Sequence, residues 1–368
     1  MKFVDEFRRK DLILSAAKKI RELAPKENLN IMEVCGTHTQ SFFRFGLRSL
    51  LPDTVRLIAG PGCPVCVSSQ QYIDSAISLC SNKDVIISTF GDMLRVPGST
   101  MSLEQSRSCG AEIRVVYSPF DALKIAQGNP EKKIVFLGVG FETTAPTIAL
   151  SVLAAKKMKI KNISFLVSLK LIPPAMRTLL EDERLNISGF LCPGHVSAVI
   201  GTRPYAFIAR KYKIPCCVAG FEPLDIIEGI YLIIRQIVTK KPGVLNQYAR
   251  VVTESGNKRA QRIMSKVFVV RDALWRGLGV IPKSGLFLRK EFSQLDAQRL
   301  FALPATSERP TTNDQRLTTK CRCGDVLRGI ISPPDCPLFA KICTPENPVG
   351  PCMVSYEGAC SAYYKYQK

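Results

Sequence analysis

Two short stretches carry the side chains best equipped for chemistry: Cys35-Gly36-Thr37-His38 and Gly60-Pro61-Gly62-Cys63-Pro64-Val65-Cys66. Each directly follows an apolar run, Ile31 to Val34 in one case and Val55 to Ala59 in the other. Both runs read as strands bounded by Gly and Pro turn signals. In an open α/β sheet, loops at the carboxyl ends of strands line the ligand crevice. Adjacent strands would therefore carry Cys35, Cys63 and Cys66 to one place. Three thiolates together suit a soft metal or a redox exchange. The Cys-x-x-Cys element alone serves either as a dithiol/disulfide couple or as two metal ligands. His38, three residues after Cys35, would lower the thiol's pKa and make it a better nucleophile or ligand. Its bland alternative is a loop residue satisfying backbone groups.

A second constellation lies at the end of the chain. Cys321, Cys323, Cys336, Cys343, Cys352 and Cys360 are six of the 14 cysteines, set among Pro and Gly. The segment is too poor in periodic apolar residues for a core of its own, so it is expected to fold around a metal centre. Four thiolates complete a [4Fe–4S] cluster. Zinc is the rival, but its usual sites show two tight Cys pairs, which are missing here. Further polar candidates sit in loops after predicted strands: Asp92, Glu142, His195, Glu222 and Asp225. They would handle protons or pair with Lys170, or else simply cap helices. Gly138-Val139-Gly140 lacks the third glycine of a dinucleotide fingerprint, and Glu142 would crowd a phosphate. Cys80, Cys109, Cys216 and Cys217 have no motif context and read as buried small residues.

The elements that must position these groups follow a strand-and-loop rhythm. Residues 5 to 24 form an amphipathic helix with Phe7, Leu12, Leu14, Ala17, Ile20 and Leu23 as its apolar set, ended by Pro25. Strands follow at Ile31 to Val34, Val55 to Ala59, Asp84 to Thr89 and Glu112 to Tyr117. The rhythm recurs at Lys133 to Leu137, Ile163 to Leu169, Ile187 to Leu191 and Ile214 to Ala219. The Pro193-Gly194-His195-Val196 loop echoes Pro61-Gly62-Cys63-Pro64-Val65. The expected fold class is α/β: two similar parallel-sheet domains facing a cleft, plus a small C-terminal iron–sulfur domain. The boundaries fall at 1–125, 126–235, a helical segment at 236–305 that packs back on the first domain, and 306–368 for linker and cluster. Helical patterning in the third segment includes 256 to 277, and the polar stretch Thr306 to Lys320 reads as the linker.

Composition narrows the class. At 368 residues and 46% hydrophobic, the chain is globular with more than one core. No apolar run is long enough to span a bilayer, and the charged start does not read as a signal peptide. A cytoplasmic protein is expected, in which so many cysteines point to metal or redox work rather than staples. Net charge is +20, and residues 241 to 330 hold 17 Lys and Arg against 7 Asp and Glu, a net +10. No nucleic-acid motif accompanies that charge, so it reads as a solvated face or a dock for an acidic partner.

Taken together, Cys35-Gly-Thr-His38, Gly60-Pro-Gly-Cys-Pro-Val-Cys66, the loops around Asp92, Glu142 and His195, and the tail Cys343-Thr-Pro-Glu-Asn-Pro-Val-Gly-Pro-Cys352 resemble the HypD family of [NiFe]-hydrogenase maturation factors. The resemblance runs nearly end to end. It implies a scaffold, not a turnover enzyme, on which the Fe(CN)2(CO) unit of the hydrogenase is assembled. It implies work with the chaperone HypC and with HypE, which supplies cyanide, and a possible encounter with the hydrogenase large subunit. It implies no nucleic acid and no membrane insertion. By the resemblance, Cys35 with Cys63 and Cys66 lies at the iron-assembly site, with His38, Asp92, Glu142 and His195 around the ligands. The family's C-x14-C-x6-C-x16-C spacing selects Cys321, Cys336, Cys343 and Cys360 for a [4Fe–4S] cluster, which leaves Cys323 and Cys352 over as candidates for relaying electrons. A thiol–disulfide reductase fed by the same cluster is the enzyme-class alternative, and an iron–sulfur nucleic-acid protein is the third.

Overall fold

The computed structural model describes residues 4–304 and 320–366. Most of the expected linker, 306 to 319, and the final two residues lie outside the described residues. Eleven strands are present among those described. In chain order they are β1 (Leu29–Glu33), β2 (Val55–Ala59), β3 (Val85–Thr89), β4 (Ile113–Val115), β5 (Lys133–Gly140), β6 (Ile163–Lys170), β7 (Gly189–Pro193), β8 (Cys216–Ala219), β9 (Val244–Asn246), β10 (Phe268–Trp275) and β11 (Gly279–Leu288).

They form two sheets, one ordered β2-β1-β7-β8-β9 and the other β10-β11-β6-β5-β3-β4. The first is parallel throughout. The second is parallel from β4 to β6 and closes with an antiparallel hairpin. The eight strands read from sequence are all present, with ends shifted by a few residues. What differs is their grouping. β1 and β2 pair with the later β7 and β8, while β3 and β4 pair with β5 and β6. The stretches 30–125 and 130–235 thus each supply strands to both sheets. The echoing loops do not mark one sheet per half. Each strand is short and apolar, so nothing in its own residues selects its neighbour; helix cover on both faces does.

The segment from 236 to 305 also differs from expectation. Its one long helix among the described residues is Lys258–Val267, followed late in the segment by a 3-10 helix at Lys290–Leu295 and a single helical turn at Ala297–Leu300. Phe268 to Leu288 then forms the β10–β11 hairpin, and β11 docks on β6. The run Phe268-Val269-Val270 and Leu286-Phe287-Leu288 is aromatic and β-branched, which favours a pleated surface over a helix. The first helix is Lys10–Leu23 and buries Ile13, Ala16, Ala17 and Ile20. That is the i, i+3, i+4, i+7 stripe. Leu12 and Leu14, assigned to the apolar face from sequence, are exposed instead.

Three apolar clusters hold the layers together. One lies under the helices 10–23 and 223–238 against the first sheet. Another lies under the helices 119–128, 145–157 and 258–267 against the second. The central cluster joins Met32 and Val34 of the first sheet's side to Val135 and Leu137 of β5. Cys323, Cys336, Cys343, Cys352 and Cys360 belong to that same central cluster. The tail therefore shares the main core. No described helix is long and apolar enough to cross a membrane.

Candidate functional site

Both cysteine motifs are helix starts, as loops at strand ends in a parallel sheet should be. Cys35 precedes the helix Gly36–Arg44, and its carbonyl accepts from the His38 and Thr39 amides. Cys63 precedes the short helix Pro64–Val67, where its sulfur accepts from the Cys66 amide at 3.1 Å. β1 and β2 are paired in parallel, so the two starts lie side by side. The Gly36 amide donates to the Gly62 carbonyl at 3.0 Å and ties one loop to the other. Cys63 and Cys66 are joined as a disulfide and are almost fully buried, whereas Cys35 is a free, half-buried thiol.

The tail completes this site. The Cys66 sulfur lies 3.8 Å from the Pro351 carbonyl oxygen. Thr37 donates to a Glu357 carboxylate oxygen at 2.8 Å, and Ser355 donates to Asp92 at 2.8 Å. A Cβ on Gly36 would overlap the Glu357 carbonyl, so only glycine admits the tail backbone at that point. Glu33 accepts from the Cys35 amide at 2.9 Å and from the Thr39 hydroxyl. Sequence reasoning singled out Asp92 but missed Glu33 and Glu357. Their signals were a carboxylate two residues before Cys35 and one placed between Cys352 and Cys360.

The electrostatics differ from the sequence expectation. Burial pushes the Cys35 thiol up to about 12, and the carboxyls of Glu357 and Glu33 add to the rise. Burial also raises Glu33 and Glu357. His38 does not activate the thiol. Its Nε2 donates to the carbonyls of Ala219 and Gly220 at 3.2 and 2.9 Å. Burial lowers its pKa to about 4, so it is neutral near pH 7. The Glu357 charge disfavours ionisation of both Cys35 and Glu33, and Asp92 does the same to Glu357. A cation held among them would favour their ionised forms instead.

The remaining candidates are placed less uniformly. His38 and His195 meet across one ring: Phe221 lies 4.8 Å from the first and 4.0 Å from the second. Glu142 is buried, accepts from the Ile172 amide at 3.0 Å, and leaves Oε2 without a partner. Burial lifts its carboxyl to about 8, so it is an acid able to donate. Lys170 does not pair with it; its Nζ donates to the Leu274 carbonyl, and burial lowers it to about 7. Glu222 and Asp225 form a capping box at the helix Pro223–Val238. Asp225 also takes a two-pronged bond from Arg250 at 2.6 and 2.9 Å. Cys216 and Cys217 are buried as expected, but Cys80 is half-buried and Cys109 is exposed. A recess of about 470 Å³ near this sheet is lined by Arg48, Arg56, Arg184 and Tyr363 among others and by none of the cysteines.

All six tail cysteines line one narrow cavity of about 10 Å³. The Val349 amide donates to the Cys343 sulfur at 3.3 Å. Among the described residues no three ligands stand in a ready metal-holding arrangement. The donor set is nevertheless all sulfur, converging and shielded from water. It fits a sulfur-ligated iron centre in number and type.

Such a fold and site define an α/β protein with thiols clustered after two adjacent parallel strands and again in the tail. A family model described as "HypD: Hydrogenase formation hypA family" matches residues 11–367. The hydrogenase maturation factor HypD of Cupriavidus necator is 46% identical over 375 residues, covering 100% of this chain and 97% of the other. That of Escherichia coli is 45% identical over 375 residues, with 100% and 99% covered. Maturation factor HypD2 of Bradyrhizobium diazoefficiens is 44% identical over 377 residues, with 100% and 97% covered. The chain belongs to the HypD family of hydrogenase maturation proteins.

Proposed function

We propose that this chain is the scaffold on which the Fe(CN)2(CO) unit of a [NiFe] hydrogenase is assembled, in the cytoplasm, with HypC and HypE as partners. One observation carries the reading. Tail residues 351–357, the short helix Pro351–Val354 and the turn after it, touch both cysteine motifs at once, at Cys66 and at Gly36-Thr37. The iron unit is cargo. Cys35 would anchor it, since it is the free thiol of the trio and stands among carboxyls that a cation would ionise. Glu33 fixes the Cys35 backbone, and Thr37 with Glu357 fixes the loop that follows. His195, neutral and packed on Phe221, would orient and donate to the diatomic ligands, while His38, its one N–H held by the Ala219 and Gly220 carbonyls, would hold Phe221 in place from the other side. Glu142 and Asp92 are the acids available for moving protons.

Cys321, Cys336, Cys343 and Cys360 are the proposed holders of a [4Fe–4S] cluster, which would supply electrons to the Cys63–Cys66 couple. The disulfide at Cys63–Cys66 lends some support to the alternative, a thiol–disulfide reductase. Infrared spectra of the anaerobically purified protein with its HypC partner separate the two. The scaffold reading expects CN and CO stretching bands. A brown, cluster-bearing protein that reduces dithiols yet never shows those bands would favour the reductase.

A further inference from the structure

Arg276 is buried at 8% exposure, and no carboxylate of a described residue pairs with it. Its Nη2 donates to Gln70 Oε1 at 3.2 Å and to the Pro97 carbonyl at 3.1 Å, while Nη1 has no partner. A guanidinium taken out of water without a counter-charge costs several kcal/mol, so something negative should face it. The groups it faces are the tail thiols. Arg276, Cys321 and Cys323 line the same cavity of about 250 Å³. Its other charged walls cancel, because Arg322 bonds Asp325 at 2.9 Å. The nearby Arg328 is spent on the Gly277 carbonyl.

The placement is rigid. The Arg276 amide donates to the Val67 carbonyl at 2.9 Å, one residue beyond Cys66. Gly277, with φ of +80°, packs its backbone on Gly324, where a Cβ would come within 2.5 Å of the Gly324 Cα. That contact locks the end of β10 to the helix Cys323–Arg328.

We propose that Arg276 is the internal counter-ion of the tail cysteine centre, a positioning residue that stabilises the negative charge which thiolates bring to any metal held there. The inference rests on the tail being a metal centre, but not on that metal being an iron–sulfur cluster. Cobalt(II) binding to the chelator-treated full chain, followed by its sulfur-to-metal absorption, therefore tests it without a cluster. Arg276→Gln removes the charge and should weaken cobalt binding about tenfold, whereas Arg276→Lys keeps the charge and should stay near the parent. Gln70→Glu leaves Arg276 in place but gives it a partner, so it too should weaken binding; it serves if Arg276→Gln fails to fold. In the iron-loaded protein, Arg276→Gln should lower the reduced-to-oxidised ratio about tenfold at a fixed poise. Equal losses in the Lys and Gln variants, or parental binding in both Arg276→Gln and Gln70→Glu, would overturn the proposal. Weakened cobalt binding in a protein that cannot be loaded with iron–sulfur would sustain it and sink the cluster reading instead.

Discussion

His38 stands one turn beyond Cys35, and its sequence position invites a role in activating that thiol. The ring nitrogen is spent elsewhere, on Ala219 and Gly220 at the end of β8, a partner 181 residues away that no local motif discloses. The residue types at the site were legible in the sequence; their partners were not, because Glu33 and Glu357 matter only through the fold. Protonating His38 in place is costly. Its folded pKa of about 4 lies below the ordinary 6.5, so its share of stability is complete above pH 6.5 and is lost as pH falls towards 4. The loss amounts to about 3 kcal/mol across that window. Urea unfolding at pH 7 and pH 5 should show a smaller pH effect in His38→Gln than in the parent; equal slopes would refute the assignment. Glu142 titrates the other way. Its pKa of about 8 means the folded state prefers the acid, a preference that costs stability as pH rises from 4.5 through 8. Glu142→Gln should therefore melt higher than the parent at pH 9 and lose that advantage near pH 4. A lower melting temperature at pH 9 would contradict the buried acid.

At the scale of elements, the strands announced themselves through apolar runs ended by Gly and Pro, and Val55–Ala59 matched to the residue. The hairpin at β10 and β11 did not, because polar Arg271 and Asp272 gave its first strand a helical period. The tail was read as a segment with no core of its own. It instead inserts its cysteines into the core between the sheets and lays residues 355–357 over the Cys35 loop. Gly36→Ala should break that seam, since its Cβ meets the Glu357 backbone, at about 1–3 kcal/mol of stability. Denaturant melts would register it, and a parental midpoint would show that the tail is not seated there. Cys336→Ala should remove the brown absorbance and expose the chain beyond Lys320 to protease. An intact chromophore in that variant would remove Cys336 from the ligand set.

Across the whole molecule, pairing order was the feature least available to sequence reading. β1 and β2 must wait for β7 and β8, so each sheet closes over long chain separations that no local pattern encodes. The interleaving has a consequence for the site, since the loops after β1 and β2 and the tail between its cysteines meet in one place. The basic excess lies on another scale again. Helix Lys258–Val267 sets Lys258, Arg259 and Lys266 towards solvent, as a solvated or docking face would. If that face steers an acidic partner, stopped-flow association should slow as salt rises, and a salt-independent rate would leave it a plain surface. The central claim is that Cys35 anchors iron while a separate set of thiols, in the tail, serves as its electron source. Infrared spectra and iron content of Cys35→Ala, co-purified with HypC beside the parent and Cys63→Ala, test it most directly. The account predicts no CN or CO bands in Cys35→Ala, some iron but stalled ligand attachment in Cys63→Ala, and an unchanged tail cluster in both; diatomic bands at the parental level in Cys35→Ala would contradict it.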